Sequence, residues 1–360
     1  ELRKREGEIW GTASYPSPVT INVNIINGSV VKEPWHDYRG KLNRSVRGVR
    51  GVIDFIVREQ MNIKDVKITT SAKFSLTISW PKNNNLKDDI EAAVWAWVNF
   101  GGLGARTRRG CGAMYCSKLS PSLKEVDSLK DWYKRRLDKY SIELPLETRD
   151  WPTLPEPNKI LIQQNSGWVA PLEAWAKSVY VMQKFRQGLG IGRQRKSNSK
   201  YGRSLWPEAD SLRNITGQAH KSFQNRITGN KDAFPRAEFG LPIVFHFKDG
   251  PPRGNDPADC ELLPPCDFER MASPLILKPL AVSPDRAVPL ILPLRTKLPE
   301  GVTVKYTDVN NIVRKKSFGE DSIRGSHLAA YSNSPLSFAS SSGSALEAFL
   351  EYARSREGFC

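Results

Sequence analysis

Residues 86–112 read LKDDIEAAVWAWVNFGGLGARTRRGCG, a helix signal running straight into a stretch of glycines and arginines. Asp88 and Asp89 stand in the first turn of 86–100 with an apolar stripe behind them. That is the polarity of a helix start, because carboxylates are favoured at the positive end of the helix dipole. Gly101 and Gly102 then stop the helix. Beyond them Gly104, Gly110 and Gly112 alternate with Arg106, Arg108 and Arg109. Glycine lets a backbone come close to a ligand and aims its N–H groups at phosphate oxygens, while guanidinium forks match phosphate geometry. The combination predicts a grip on a sugar-phosphate backbone. It does not fit a nucleotide-binding P-loop, since no Lys-Ser or Lys-Thr comes after the glycines. A dinucleotide fingerprint is excluded too, since the loop follows a helix and lacks the third glycine at the required place. A glycine cap with a basic turn would explain Gly101 and Gly102 but not three arginines among five glycines.

On either side, 17–26 and 66–80 alternate and are β-branched, which predicts strands, with a helix over 54–60 and a turn at 83–85. A further strand is expected over 113–119. The first half therefore reads as α+β. A charged amphipathic helix over 123–140 runs into 144–157, where four prolines and little periodicity suggest a domain boundary near 145–157. Two domains, 1–150 and 151–360, are expected on that basis. The second half offers a strand at 160–162, a helix over 171–185, strands at 240–247, 275–282 and 287–294, and a Pro-rich loop over 249–265. A closing helix over 345–354 has a serine and glycine run before it as its cap.

A second basic cluster, Lys184, Arg186, Arg193, Arg195, Lys196, Lys200 and Arg203, brackets Gly188, Gly190 and Gly192. The stretch GLGIGRQRKSNSKYGR over 188–203 has the composition of a mobile loop. It repeats the chemistry of the first loop and carries the same RNA expectation, against the alternative of a solvated loop. Tyr201 and Trp206 could stack on unpaired bases, although a Trp before Pro207 can equally anchor packing. Arg39, Lys41, Arg44, Arg47 and Arg50 form a third group, read as an exposed basic face because Gly48 and Gly51 oppose a stable helix.

Composition agrees with a polyanion partner. Of 360 residues, 54 are Lys or Arg against 38 Asp or Glu, a formal charge of +16 that favours RNA, DNA or an anionic surface. With 39% hydrophobic residues and ten Trp there is material for real cores. No apolar run approaches the roughly 20 residues of a membrane span, and ELRKREGEIWG lacks a signal-peptide core, so a cytoplasmic protein without a membrane partner is expected. The cysteines are 111, 116, 260, 266 and 360. None forms a C-x-x-C pair, which points to reduced thiols and gives little support to a metal site. Catalytic sets are thin: His36, His220, His246 and His327 are scattered, and Asp88-Asp89 is explained by the helix dipole. Neither a cofactor nor a catalytic residue is expected.

The run AWVNFGGLGARTRRGCGAM (96–114) resembles the glycine-rich signature of the RAMP superfamily, the RNA-binding proteins of CRISPR systems. QKFRQGLGIGRQ (183–194), GRSLWPEADSLR (202–213), FPRAEFGLPIVFHF (234–247) and RMASPLILKPL (270–280) are similar, in that order, to the first RAMP subunit of the type III-B Cmr module. The resemblance implies two tandem ferredoxin-like, RRM-related RAMP domains and a non-catalytic role. It implies binding of the 3′ region of CRISPR RNA (crRNA), of target RNA, or of both, beside the sixth Cmr RAMP subunit and the backbone RAMP subunit. Carried over by residue, the RNA-binding set is Gly101, Gly102, Gly104, Arg106, Arg108, Arg109, Gly110 and Gly112, with Lys184, Arg186, Gly188, Gly190, Gly192 and Arg193. Arg195 and Lys196 extend the second loop. Family members begin with a strand and a helix bearing a Leu-Arg-Trp-Trp motif, whereas ELRKREGEIWGTASYPSPV resembles the segment immediately after that motif. The first domain is therefore expected to lack that strand and helix. Two alternatives stay open: a RAMP-type, metal-independent endoribonuclease cutting CRISPR repeat RNA through His36 or His220, and an assembly protein whose basic loops meet acidic neighbours.

Overall fold

In the computed structural model the described residues are 2–31, 68–82, 85–145, 147–163, 167–195, 201–219, 232–265, 268–329, 334–339 and 342–360. The expected helix over 54–60, the basic group from Arg39 to Arg50, His36, His220, Cys266, Lys196 and Lys200 lie outside them. So do Asn83 and Asn84 of the expected turn.

The fold is a mixed α+β arrangement with several antiparallel sheets. Helix α1 (Leu2–Trp10) precedes a ribbon of β1 (Thr20–Val31) and β2 (Ile68–Ser79), which pair antiparallel with Ile21 opposite Ile78 and Val23 opposite Leu76. Helix α2 (Lys87–Phe100) and helix α3 (Leu129–Lys139) come next, the latter entered through a 3-10 turn, Leu123–Ser128. Residues 113–119, expected as a strand, pair with no strand among the described residues. Leu119 and Ser120 instead turn back through their N–H groups onto the Cys116 carbonyl.

The centre of the chain is a three-stranded sheet in the order β3 (Leu161–Ile162), β9 (Arg286–Pro293), β8 (Leu275–Ser283). Its strands read as nearly unbroken apolar runs because both faces are covered, and alternate residues of each strand go to opposite faces. Leu275, Leu277 and Ile291 pack with α4 (Pro171–Gln187) and α7 (Ala345–Glu357), through Val179, Met182, Phe185, Phe349 and Tyr352. Ile276, Leu280, Leu290 and Leu292 pack with α2 and α3 through Trp95, Phe100, Trp132 and Tyr133. Trp95 anchors this second layer. Its ring meets Phe100 edge-on at 5.4 Å and stacks on Tyr133 at 6.0 Å, geometries favoured by the aromatic quadrupole. Residues before and after position 150 thus share one aromatic core, and Leu144 and Leu154 of the Pro-rich connection pack on it.

A second sheet orders β11 (Val313–Gly319), β10 (Gly301–Thr307), β7 (Cys260–Leu263) and β6 (Ile243–Phe245), with α5 (Glu208–Thr216) against its apolar face through Leu212. Strand β7 falls inside 249–265, where a loop was expected: its Cys260 and Leu262 are buried between two flanking strands despite the surrounding prolines. Arg193–Arg195 (β4) and Tyr201–Ser204 (β5) pair antiparallel, so the described part of the second glycine stretch is a hairpin rather than an irregular loop. The short helix α6 (Ser326–Ala329) completes the set. The closing helix α7 has the expected serine cap, with Ser344 Oγ accepting from the Glu347 N–H at 3.2 Å.

Candidate nucleic-acid interface

The first glycine–arginine loop leaves α2 at Gly101, whose N–H closes onto the Trp97 carbonyl at 3.0 Å. It makes one 3-10 turn over Thr107–Arg109, with Arg106 and Gly110 on either side in the left-handed region at φ 60° and 83°. The Leu103 N–H donates to the Gly112 carbonyl at 3.0 Å and closes the loop. The loop is then bolted to the second half of the chain. Lys278 Nζ donates to the Gly101 carbonyl at 2.7 Å, Trp175 Nε1 donates to the Arg109 carbonyl at 2.5 Å, and Arg108 Nη1 donates to the Ser273 carbonyl. Gly110 has to be glycine: a Cβ there would run into the Trp175 ring and come within 2.9 Å of the Leu277 carbonyl.

The second loop leaves α4 at Gly188 and is closed by its own backbone. The Gly188 carbonyl accepts from the N–H groups of Ile191, Gly192 and Arg193, and Gly190 N–H donates to the Arg193 carbonyl at 2.7 Å. Its base is fixed by Lys184, whose Nζ meets Glu357 of α7 at 2.6 Å.

The glycines divide into two kinds. At Gly101, Gly102, Gly110, Gly112, Gly188 and Gly192 an added Cβ would meet backbone or ring atoms, so these serve the loops' own packing. Gly104 and Gly190 differ. Both have positive φ, 80° and 77°, and among the described residues no atom beyond the chain neighbours lies within 4 Å of where a Cβ would sit. Each loop thus offers one glycine at which a ligand backbone can approach, the use of glycine on which phosphate capture depends.

The cations divide as well. Arg195 is exposed, and Arg106 and Arg193 are half-buried near the surface. Arg109 and Arg186 turn inward and are brought together from positions far apart in sequence. Burial first, then the charges of Arg236 and Arg109, pull the Arg186 guanidinium down to about 9. Burial and then Arg106 pull Arg109 down to about 10. Both values stay above neutrality, so the positive charges persist at pH 7. Glu208, fully buried, faces this cluster. Its Oε1 accepts from the Arg236 backbone N–H at 2.8 Å and forms an ion pair with the Arg236 guanidinium, Nε lying 3.0 Å away. Arg109 Nη1 is enclosed and has no hydrogen-bond partner among the described residues.

The sequence does not mark Arg236, because its neighbours come from α4, α5 and β6, and nothing local announces them. Its guanidinium lies 4.9 Å from the Phe245 ring and 5.6 Å from the Trp206 ring. Trp206 is 2% exposed and donates Nε1 to the Arg186 carbonyl at 3.1 Å, so it anchors packing and is not free to stack on a base. Tyr201 lies in β5, and Arg203 pairs with Asp210.

Among the described residues, groups for acid–base or nucleophilic chemistry do not converge here. His246 is exposed and meets Asp259 at 2.8 Å, on the second sheet. Burial pushes the Cys111 thiol up to about 11 and the Cys260 thiol up to about 12, far from a reactive thiolate. Among the described residues no three His, Cys, Asp or Glu side chains group as metal ligands, and no helix is long and apolar enough to cross a membrane.

The loop that ends at Gly112, with the ribbon and helix that carry it, is also where the chain is similar to a known family. Residues 1–115 match the RAMP superfamily model. The RAMP match thus takes in α1, the ribbon, α2 and the whole first glycine–arginine loop. No curated protein matches the chain. Among solved structures the chain is similar to an apo-form crystal structure of Cmr1 from Pyrococcus furiosus, with 16% identity and a TM-score of 0.44, over 83% of this chain and 74% of that one. It is also similar to a cryo-EM structure of the type III-B Cmr-beta bound to cognate target RNA, with 11% identity and a TM-score of 0.37, over 86% of this chain and 84% of that one.

Proposed function

We propose that this chain is a non-catalytic RNA-binding subunit of a type III-B CRISPR Cmr effector complex, holding the 3′ region of crRNA, a target RNA, or both. In this reading residues 1–150 and 151–360 are two tandem ferredoxin-like RAMP units that meet across the shared aromatic core. The partners are crRNA, target RNA, the sixth Cmr RAMP subunit and the backbone RAMP subunit.

One observation carries the reading. Two glycine–arginine loops, distant in sequence, converge through Arg109 and Arg186 while each leaves one open, positive-φ glycine outside, at Gly104 and Gly190. Inner guanidiniums set a positive field, and outer arginines with open backbone supply phosphate contacts. That is how affinity for a polyanion is built. The net charge of +16 and the RAMP match over the first loop support the same conclusion.

Photo-cross-linking to a 4-thiouridine-labelled CRISPR RNA tests it, with adducts expected in 101–112 and in 188–204. Adducts confined to other segments would contradict the reading. Incubation with labelled repeat RNA should leave the RNA intact. Specific cuts abolished by His36→Ala or His220→Ala would instead establish an endoribonuclease.

A further inference from the structure

Lys278 stands alone as a charged residue in the apolar strand LILKPLAVS, and it is 1% exposed. By strand alternation it shares a face with Ile276 and Leu280, the face covered by the Trp95 and Phe100 aromatic layer. A buried ammonium is costly, and a leucine or methionine would fill the same volume without that cost. Its position is explained by what Nζ touches: the carbonyl of Gly101, at 2.7 Å. That carbonyl belongs to the cap of α2, the negative end of the helix dipole, where a cation is favoured. It is also the first residue of the glycine–arginine loop.

We infer that Lys278 is a positioning residue that clamps the origin of the first glycine–arginine loop to the central sheet, and so sets how firmly the loop grips RNA. The inference rests on the RNA-binding reading above. No carboxylate among the described residues neutralises Lys278, and burial alone brings its amine down to about 7. Several charged groups on the elements packed against β8 pair elsewhere. Arg108 on the 3-10 turn bonds Ser273, and Arg109 turns toward Arg186. On α4, Glu173 pairs with Lys177, and Lys184 pairs with Glu357. On α2, Asp88 and Asp89 sit at the far end from Gly101 and Glu91 lies near Lys139. On β9 the one charged residue is Arg286, at its start, and beside α3 Glu125 pairs with Arg135. The clamp is therefore a charge-assisted hydrogen bond below about pH 7 and a weaker neutral one above it.

The folded-state value lies below the ordinary 10.5, so the unfolded chain holds the extra proton between about 7 and 10.5. Stability from this group accordingly rises with pH across that window, while the clamp itself weakens. A residue that only filled space would not oppose the two trends.

The test compares wild type with Lys278→Met, a close match in volume that cannot donate. Amide exchange of 101–112 and RNA affinity are measured at pH 6 and pH 8.5, with thermal melting as the control. The variant should melt at or above wild type at pH 6. At pH 6 its loop amides should exchange about tenfold faster than those of wild type and RNA should bind about tenfold more weakly, and both differences should shrink at pH 8.5. Unchanged loop protection would overturn the clamp, and a loosened loop with unchanged RNA affinity would overturn its link to the grip. Absence of RNA binding by wild type at low salt would overturn the RNA reading instead, with the exchange data still deciding the clamp.

Discussion

The two glycine–arginine loops share a composition and differ in how they are held. The first is fixed from outside, by Lys278 on Gly101, Trp175 on Arg109 and the Ser273 carbonyl under Arg108. The second is fixed mainly from within, by a cluster of N–H groups on the Gly188 carbonyl and by the β4–β5 hairpin, with one ion pair to α7 at its base. The same residue types therefore have different sensitivities. A change in the first loop is transmitted to the central sheet, whereas the second can absorb a change locally. What the loops have in common is one open, positive-φ glycine each, Gly104 and Gly190. RNA contact is expected at those glycines, and differences in stability from the contrast behind them.

The contrast can be broken by substitution. Gly110→Val places a branched side chain at φ 83° against Trp175 and the Leu277 carbonyl, and is expected to cost about 3 kcal/mol of unfolding free energy. Gly190→Ala, at φ 77° but in open space, is expected to cost about 1 kcal/mol. Denaturant unfolding of both variants tests the order, and equal costs would mean that the first loop is no more tightly held than the second. Lys184→Met removes a part-buried ion pair to Glu357, whose side chain is 11% exposed, at the base of the second loop, with an expected loss of about 1 kcal/mol by the same measurement. A loss of several kcal/mol would show that this loop also depends on a distant anchor.

Parts of this arrangement were legible in the sequence for local reasons. The end of α2 at Gly101, the apolar strands of the central sheet and the Ser344 cap are dictated by residues adjacent in the chain. Helix α1 was not, because Ile9 is the one buried residue among its described side chains and no apolar stripe marks it; its Arg5 is tied to Asp89 of α2 at a distance in sequence. Strands β10 and β11 are not legible because lysine and arginine dilute the alternation, although Val302 and Val304 fill the core. At the candidate interface the glycines and arginines were visible, but which of them face outward was not. That sorting depends on Trp175, Lys278, Glu208 and Arg236, whose contacts to the loops arise only through tertiary packing. The lone lysine in LILKPLAVS was a readable anomaly, while its acceptor lies 177 residues away.

The central claim is that arginines on the outer face of the two loops hold RNA phosphates. Titrating RNA affinity against salt for wild type and for the Arg106→Ala, Arg195→Ala double variant tests it most directly. Each lost phosphate contact lowers the slope of log affinity against log salt by about one, so a reduction of about two is predicted, with weaker binding at low salt. An unchanged slope and affinity in a folded double variant would contradict the account.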